Sequence, residues 1–118
     1  MPCFRLFTSL TKDKIPGDFV QKIVPVLAKT LQKPENKFVI LVSPDCTVSF
    51  DNTTVPSPPG AIASLESIGA LGLQENQVIT TEVTNLIQKE LGITPDNFFL
   101  SFYDLQGQNI GKGGKLLV

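Results

Sequence analysis

Short apolar runs with the alternating or continuous pattern of β-strands recur along the chain. The four strongest lie at 2–8, 38–43, 61–67 and 98–102. Weaker runs near 47–50 and 107–116 indicate shorter strands. Because "FVILV" at 38–42 is apolar at every position, we expect this strand to lie inside a sheet, as in parallel crossover units, rather than at its edge.

Two stretches between these runs carry apolar residues at helical spacing. The first contains Phe19, Ile23, Leu27 and Leu31, and the second contains Ile79, Val83, Leu86, Ile87 and Leu91. Asp18 and Gln21 resemble a capping box before the first helix, in which Pro25 predicts a kink or a late start. Gly92 and Pro95 are typical of the end of the second helix.

The order strand, helix, strand occurs twice. "LQKPENKFVILV" at 31–42 and "LGITPDNFFLSFY" at 91–103 each combine a helix-ending leucine, a Pro-acid-Asn stop and an apolar run. This duplication predicts an α+β two-layer sandwich of two β-α-β units, with a four-stranded mixed sheet and two helices on one of its faces. Such a sheet has bare edges and an uncovered back, and the chain ends in the apolar "KLLV", so we expect an oligomer.

Composition narrows the class of protein. With 118 residues, 42% of them apolar, the chain has the length of one globular domain, spanning 1–118. Its net charge of −1 does not indicate nucleic-acid binding. The longest apolar runs fall well short of the roughly 20 residues that cross a bilayer, so we expect no membrane partner. The first residues lack the features of a signal peptide, and the default location is cytoplasmic.

The most informative absence is that of histidine, the side chain that usually transfers protons near neutrality. Ser-His and Cys-His nucleophile systems are thereby excluded. "GQNIGKGG" at 107–114 has the wrong glycine spacing for a phosphate loop. Cys3 and Cys46 match no metal-binding spacing and no C-x-x-C, and we interpret them as reduced, packed cysteines.

The second residue, Pro2, has two interpretations. Proline is tolerated as the first residue of a strand. If Met1 is removed, however, Pro2 begins the chain as a free secondary amine, which is an unusual base.

Several motifs in order support the second interpretation. Pro2, the duplicated plan, "KPEN" after the first helix, "SIG" at 67–69 and "FYD" at 102–104 together resemble the macrophage migration inhibitory factor family of the tautomerase superfamily, which includes D-dopachrome tautomerase. The resemblance covers essentially the whole chain. In this family the first methionine is removed and the chain forms a homotrimer whose active sites lie between subunits.

The resemblance implies a role for particular residues. Pro2 is expected to be the catalytic base, and Lys33 the cation that receives a carboxylate. Ile68 is expected to line the pocket and offer its backbone N–H, with Ile110 packing nearby. The neighbouring subunit is expected to contribute Phe99 and Ser101. The implied reaction is keto-enol tautomerisation of phenylpyruvate-like or dopachrome-like acids, and it requires no cofactor and no metal.

Elementary chemistry supports the role of Pro2. An α-amino group titrates at about 7.7–8.0, and a secondary amine is intrinsically more basic. In the site that the resemblance implies, burial against Ile68 and Ile110 and the charge of Lys33 are both expected to lower its pKa. A base whose pKa lies near the working pH is suited to taking a proton from carbon beside a carbonyl.

The sequence also departs from the family pattern. "SPPG" at 57–60 stands where the cytokine founder has C-x-x-C, so a thiol-disulfide activity does not carry over. Phe99 and Ser101 stand where that founder has tyrosine and asparagine, and Lys112 replaces a tryptophan. Taken singly, Lys33 is equally typical of a helix C-terminus. Core packing alone would equally explain Ile68, Phe99 and Ile110.

Two alternatives stay open at this point. One is a secreted signalling protein with a vestigial pocket that binds a cell-surface receptor, for which the resemblance implies the class II invariant chain. The other is a non-catalytic two-layer binding domain. "NTT" at 52–54 is an N-glycosylation acceptor, so an unglycosylated extracellular form would indicate secretion by a route independent of a signal peptide.

Overall fold

The computed structural model describes residues 1–50 and 57–118. The predicted glycosylation acceptor at 52–54 lies outside them. The elements in chain order are β1 (Cys3–Thr8), α1 (Phe19–Leu31), β2 (Val39–Ser43), β3 (Ala61–Ser67), α2 (Leu73–Leu91), β4 (Phe98–Asp104), β5 (Gly111–Lys112) and β6 (Lys115–Leu116). Short 3-10 turns lie at Lys12–Lys14, Glu35–Lys37, Pro95–Asn97 and Gly107–Asn109.

The four long strands form one mixed sheet in the order β2-β1-β3-β4. Strands β1 and β2 are parallel, as are β3 and β4, whereas β1 and β3 run antiparallel. Each parallel pair is joined through a helix, which is the connection that parallel neighbours require. The predicted pair of β-α-β units is therefore confirmed.

One face of the sheet and the apolar stripes of the two helices make the core. Strand β1 contributes Phe4 and Leu6, and both are fully buried. The predicted helical stripes are buried at Phe19, Ile23, Leu27, Leu31, Ile79, Val83, Ile87 and Leu91. Both helices thus lie on the same face, as predicted.

The other face of the sheet is not covered by any helix or strand among the described residues. Its exposed apolar side chains include Val39, Leu41, Ile62 and Phe99. Arg5 and Glu66 form an ion pair of 2.8 Å on this face. No helix among residues 1–50 and 57–118 is long and apolar enough to cross a membrane.

The structure corrects four details of the sequence predictions. Strand β2 lies at an edge of the sheet and not inside it. Val39 and Leu41 on its outer face are exposed. The apolar periodicity of one chain does not distinguish a strand that is covered on both faces from a strand with one exposed face. No strand forms at 47–50. Helix α1 does not start late but begins at Phe19, before Pro25. Asp18 makes no capping hydrogen bond and instead lies 3.5 Å from the Lys22 ammonium.

The ends of both helices follow from their local sequence. Helix α2 ends at Leu91 and is followed by Gly92, which has a φ of 68° and donates its N–H to Gln88 O at 3.0 Å. The left-handed conformation carries no steric penalty at glycine. Helix α1 ends in the same way at Leu31 and is followed by Gln32, with a φ of 54°. The chain therefore turns sharply just before Lys33.

Candidate active site

A cavity of about 410 Å³ lies where β1 begins and β3 ends. These two chain segments meet because β1 and β3 are antiparallel neighbours. The residues that line the cavity are Met1, Pro2, Lys33, Pro34, Lys37, Ile68 and Leu117. Three residues predicted for one site, Pro2, Lys33 and Ile68, are thus together in a single chain.

Pro2 forms the buried wall of this cavity. Its side chain is less than 2% exposed, and its carbonyl oxygen accepts a 3.0 Å hydrogen bond from the Val39 N–H. That bond ties the residue to the start of β2. Met1 is present, so the Pro2 nitrogen is here part of a peptide bond and cannot act as a base.

Lys33 reaches across the cavity from the end of α1. Its ammonium donates a 2.9 Å hydrogen bond to the Ile68 carbonyl oxygen. A lysine ammonium has three donors, so two remain for a ligand. The side chain is half-buried, which limits the solvent screening of its charge.

The "SIG" and "FYD" motifs hold Ile68 in place. The Gly69 N–H donates to Asp104 Oδ1 at 3.0 Å, and the Leu105 N–H donates to Ser67 O at 2.8 Å. Gly69 has a φ of 72°, which suits glycine, and turns the chain out of β3. The two motifs therefore make one structural unit that presents Ile68 to the cavity.

The electrostatic field at the cavity is positive. Burial lowers the pKa of the Met1 amine below its ordinary value, and the charges of Lys33, Lys37 and Lys112 lower it further. Sequence reasoning did not identify Lys37, which lies in the 3-10 turn after Pro34. Its position four residues after Lys33 was the available signal, but the turn geometry that brings both to one cavity cannot be inferred from spacing.

The C-terminal hairpin closes one side of the cavity. Ile110 does not line it, and Leu117 does. The two residues are joined by a 3.0 Å hydrogen bond from the Leu117 N–H to the Ile110 carbonyl oxygen. A Cβ at Gly107 would collide with the Leu117 carbonyl oxygen, so glycine is needed where the hairpin begins.

Phe99 and Ser101 lie elsewhere, on the bare outer face of β4. They line a second cavity of about 280 Å³ together with Phe7, Ile62, Ala63, Ser64 and Tyr103. Phe99 is 57% exposed, and the Ser101 hydroxyl lies 3.5 Å from the Ala63 carbonyl oxygen. Within one chain they do not join Pro2. Tyr103, which sequence reasoning missed, places a phenol in the same cavity as Phe99.

A larger cavity, of about 580 Å³, lies between α1 and α2. It is lined by solvent-facing helix residues such as Lys29, Glu75 and Glu82, and it contains none of the predicted site residues. The volume of a cavity alone therefore does not identify the candidate active site. Among residues 1–50 and 57–118, no group of three or more histidine, cysteine, aspartate or glutamate side chains could hold a metal ion.

Both cysteines are unpaired thiols. Burial raises the pKa of Cys3, which also lies near Arg5 and Glu66. A raised pKa leaves less of the reactive thiolate near neutrality. Cys46 contacts the Ser43 carbonyl oxygen at 3.5 Å. Neither thiol lines the cavity at Pro2.

The amino-acid sequence is similar to those of known proteins. The family model described as macrophage migration inhibitory factor matches residues 1–118. Macrophage migration inhibitory factor of Xenopus laevis is 32% identical over 114 residues, covering 97% of this chain and 96% of its own. The protein of the same name from Rattus norvegicus is 31% identical with the same coverage.

Solved structures show the same fold. Macrophage migration inhibitory factor from Trichinella spiralis superposes with a TM-score of 0.90 at 24% identity, covering 97% of this chain and 98% of the other. The homologue from Prochlorococcus marinus gives a TM-score of 0.87 at 24% identity, with 98% and 99% covered. At this level of identity the agreement concerns the backbone architecture.

Proposed function

The chain belongs to the macrophage migration inhibitory factor family, and on that premise we propose that it is a keto-enol tautomerase whose general base is the Pro2 nitrogen, freed by removal of Met1. The substrates are phenylpyruvate-like and dopachrome-like acids. The observation that carries this proposal is the cavity in which buried Pro2, Lys33 and Ile68 meet.

The proposed reaction moves one proton. Lys33 binds the substrate carboxylate with the donors that its bond to Ile68 leaves free. The Pro2 nitrogen takes the proton from the carbon beside the keto group, and the electrons of the C–H bond form the enol double bond. The resulting ammonium then gives a proton to the former keto oxygen. The Ile68 backbone N–H is the proposed second donor to the substrate.

The environment of Pro2 supports its role as a base. Burial and three lysines already lower the pKa of the Met1 amine, one residue earlier and at a less buried position. A free amine at Pro2 experiences the same influences with more complete burial. Both disfavour the protonated form and bring the pKa toward the working pH.

The complete site is proposed to lie between subunits of a homotrimer. Phe99 and Ser101 lie on the outer face of β4, whereas Pro2 lies at the beginning of β1. A neighbouring subunit that covers the bare face would bring its own Phe99 and Ser101 to the cavity at Pro2. The open sheet edges and the exposed apolar face favour such packing.

Pro2→Gly tests the proposal. Glycine keeps a terminal amine but removes the secondary amine and its ring. In correctly processed protein we expect an intact fold and a loss of phenylpyruvate turnover of about 10²–10⁴-fold, as for other acid-base groups. An undiminished rate would refute the mechanism.

A receptor-binding, cytokine-like role is a second candidate, favoured by the names of the relatives. It is separable from catalysis. The role is supported if processed Pro2→Gly protein loses turnover but still binds the class II invariant chain. Loss of both turnover and binding would indicate that receptor binding depends on the pocket.

A further inference from the structure

The cavity at Pro2 holds more positive charge than a monocarboxylate substrate needs. Lys33 and Lys37 both line it, and no aspartate or glutamate does so among the described residues. In that part of the chain, neither lysine forms an ion pair; the ion pairs there involve Arg5 and Lys22. One of the two cations is sufficient for one carboxylate.

A third cation acts on the same place from the C-terminal hairpin. Lys112 lies two residues after Ile110, whose carbonyl oxygen holds the Leu117 N–H beside the cavity. Lys33 and Lys37 line the cavity with Met1, and the charges of Lys33, Lys37 and Lys112 each lower the pKa of the Met1 amine. Like charges held together without a counterion repel one another, and an anionic ligand relieves that repulsion.

Building on the proposed tautomerase function, we propose that this site selects enolisable 2-oxo acids that carry a second carboxylate. Lys33 binds the carboxylate beside the keto group, and Lys37 binds the second one, with Lys112 adding to the attraction at the mouth. The chemistry is unchanged: one C–H bond breaks, one O–H bond forms, and Pro2 carries the proton. No oxidant or further reactant is required.

The test compares phenylpyruvate, with one carboxylate, against 4-carboxyphenylpyruvate, with two. For the processed wild type at low ionic strength we expect kcat/KM to be about two- to fivefold higher for the dianion, the size of effect that a partly exposed charge pair produces. The preference should shrink as salt is added, because salt screens exposed charges. A ratio of one or less would overturn the proposal.

Matched variants locate the effect. Lys37→Gln and Lys112→Gln should each reduce the ratio of the two kcat/KM values, and the double variant should bring it close to one. Lys12→Gln removes the same charge from an exposed turn that does not line the cavity and should leave the ratio unchanged. An unchanged ratio in both Lys37→Gln and Lys112→Gln, or an equal reduction in Lys12→Gln, would contradict a specific second carboxylate site.

Binding of non-reacting acids separates this inference from the tautomerase proposal. Cinnamate and 4-carboxycinnamate cannot enolise, and their affinities can be measured by calorimetry without any turnover. Tighter binding of the dianion that depends on Lys37 would support charge selection even if Pro2 proved not to be the base. If neither substrate is turned over but this difference persists, the proposed function fails and the binding preference stands. Equal affinities of the two acids would contradict the preference.

Discussion

Lys33 donates a 2.9 Å hydrogen bond from its ammonium to the carbonyl oxygen of Ile68, which joins the end of α1 to the turn after β3. The two residues are 35 positions apart and belong to different halves of the duplicated chain. The bond fixes the position of the cation relative to Pro2. It also fixes the turn from which the Ile68 backbone faces the cavity.

Replacing Lys33 with glutamine should lower kcat/KM for phenylpyruvate by about 10- to 100-fold. Hydrogen bonds to charged groups contribute about 1.5–3 kcal/mol, and 1.4 kcal/mol corresponds to a factor of ten. Steady-state kinetics measures the change. Lys29→Gln, on an exposed part of α1 outside this cavity, is the control and should behave like the wild type. Equal behaviour of the two variants would remove Lys33 from the site.

The pH dependence of the rate should respond to Lys37. The deprotonated Pro2 amine is the active form, so kcat/KM rises with pH through the pKa of that amine. The positive charge of Lys37 lowers an amine pKa at this position, so Lys37→Gln should raise the pKa of Pro2 and move the acidic limb of the profile to higher pH. The pH profile of kcat/KM is the measurement. A shift of its acidic limb toward lower pH would contradict the proposed effect of the Lys37 charge on the pKa of Pro2.

The ring end of the substrate should meet Phe99 and Ser101. Neither residue offers the donors that tyrosine and asparagine would, so we expect little preference between phenylpyruvate and its 4-hydroxy analogue, or preference for the former. Phe99→Tyr/Ser101→Asn should improve kcat/KM for the hydroxylated substrate by about two- to tenfold, from one neutral hydrogen bond of about 0.5–1.5 kcal/mol. No gain would show that these residues do not face the ring.

Assembly can be tested on the exposed face of β2. Light scattering should give three times the 12.8 kDa chain mass, and Leu41→Lys should weaken the trimer by placing a charge on a covered apolar surface. Leu73→Lys is a matched control at the exposed start of α2 and should leave the trimer intact. A stable wild-type monomer would remove the proposed site between subunits.

Local sequence was sufficient to predict the main elements. The helical stripe ending at Leu91 and the αL residue Gly92 depend on neighbours within a few positions, and both were confirmed. The edge position of β2 depends on which strands pair over long distances, and apolar periodicity carries no information about pairing. The prediction of an inner strand was therefore wrong.

The residues of the candidate site were also predicted only in part from the sequence. Pro2, Lys33 and Ile68 were predicted through motifs and do share a cavity. Lys37 and Leu117 reach the cavity only because a 3-10 turn and a hairpin carry them there, so no motif identified them. The relation of Phe99 to Pro2 stays a prediction, since it depends on contacts between chains.

The most direct test compares two forms of the same protein, one beginning at Pro2 and one retaining Met1 because methionine removal was blocked during expression. Intact mass establishes which form is present, and kcat/KM for phenylpyruvate is then measured for each. We expect the form retaining Met1, in which the Pro2 nitrogen is a non-basic amide, to be slower by about 10²–10⁴-fold. Equal rates in the two forms would contradict the role of Pro2 as the base.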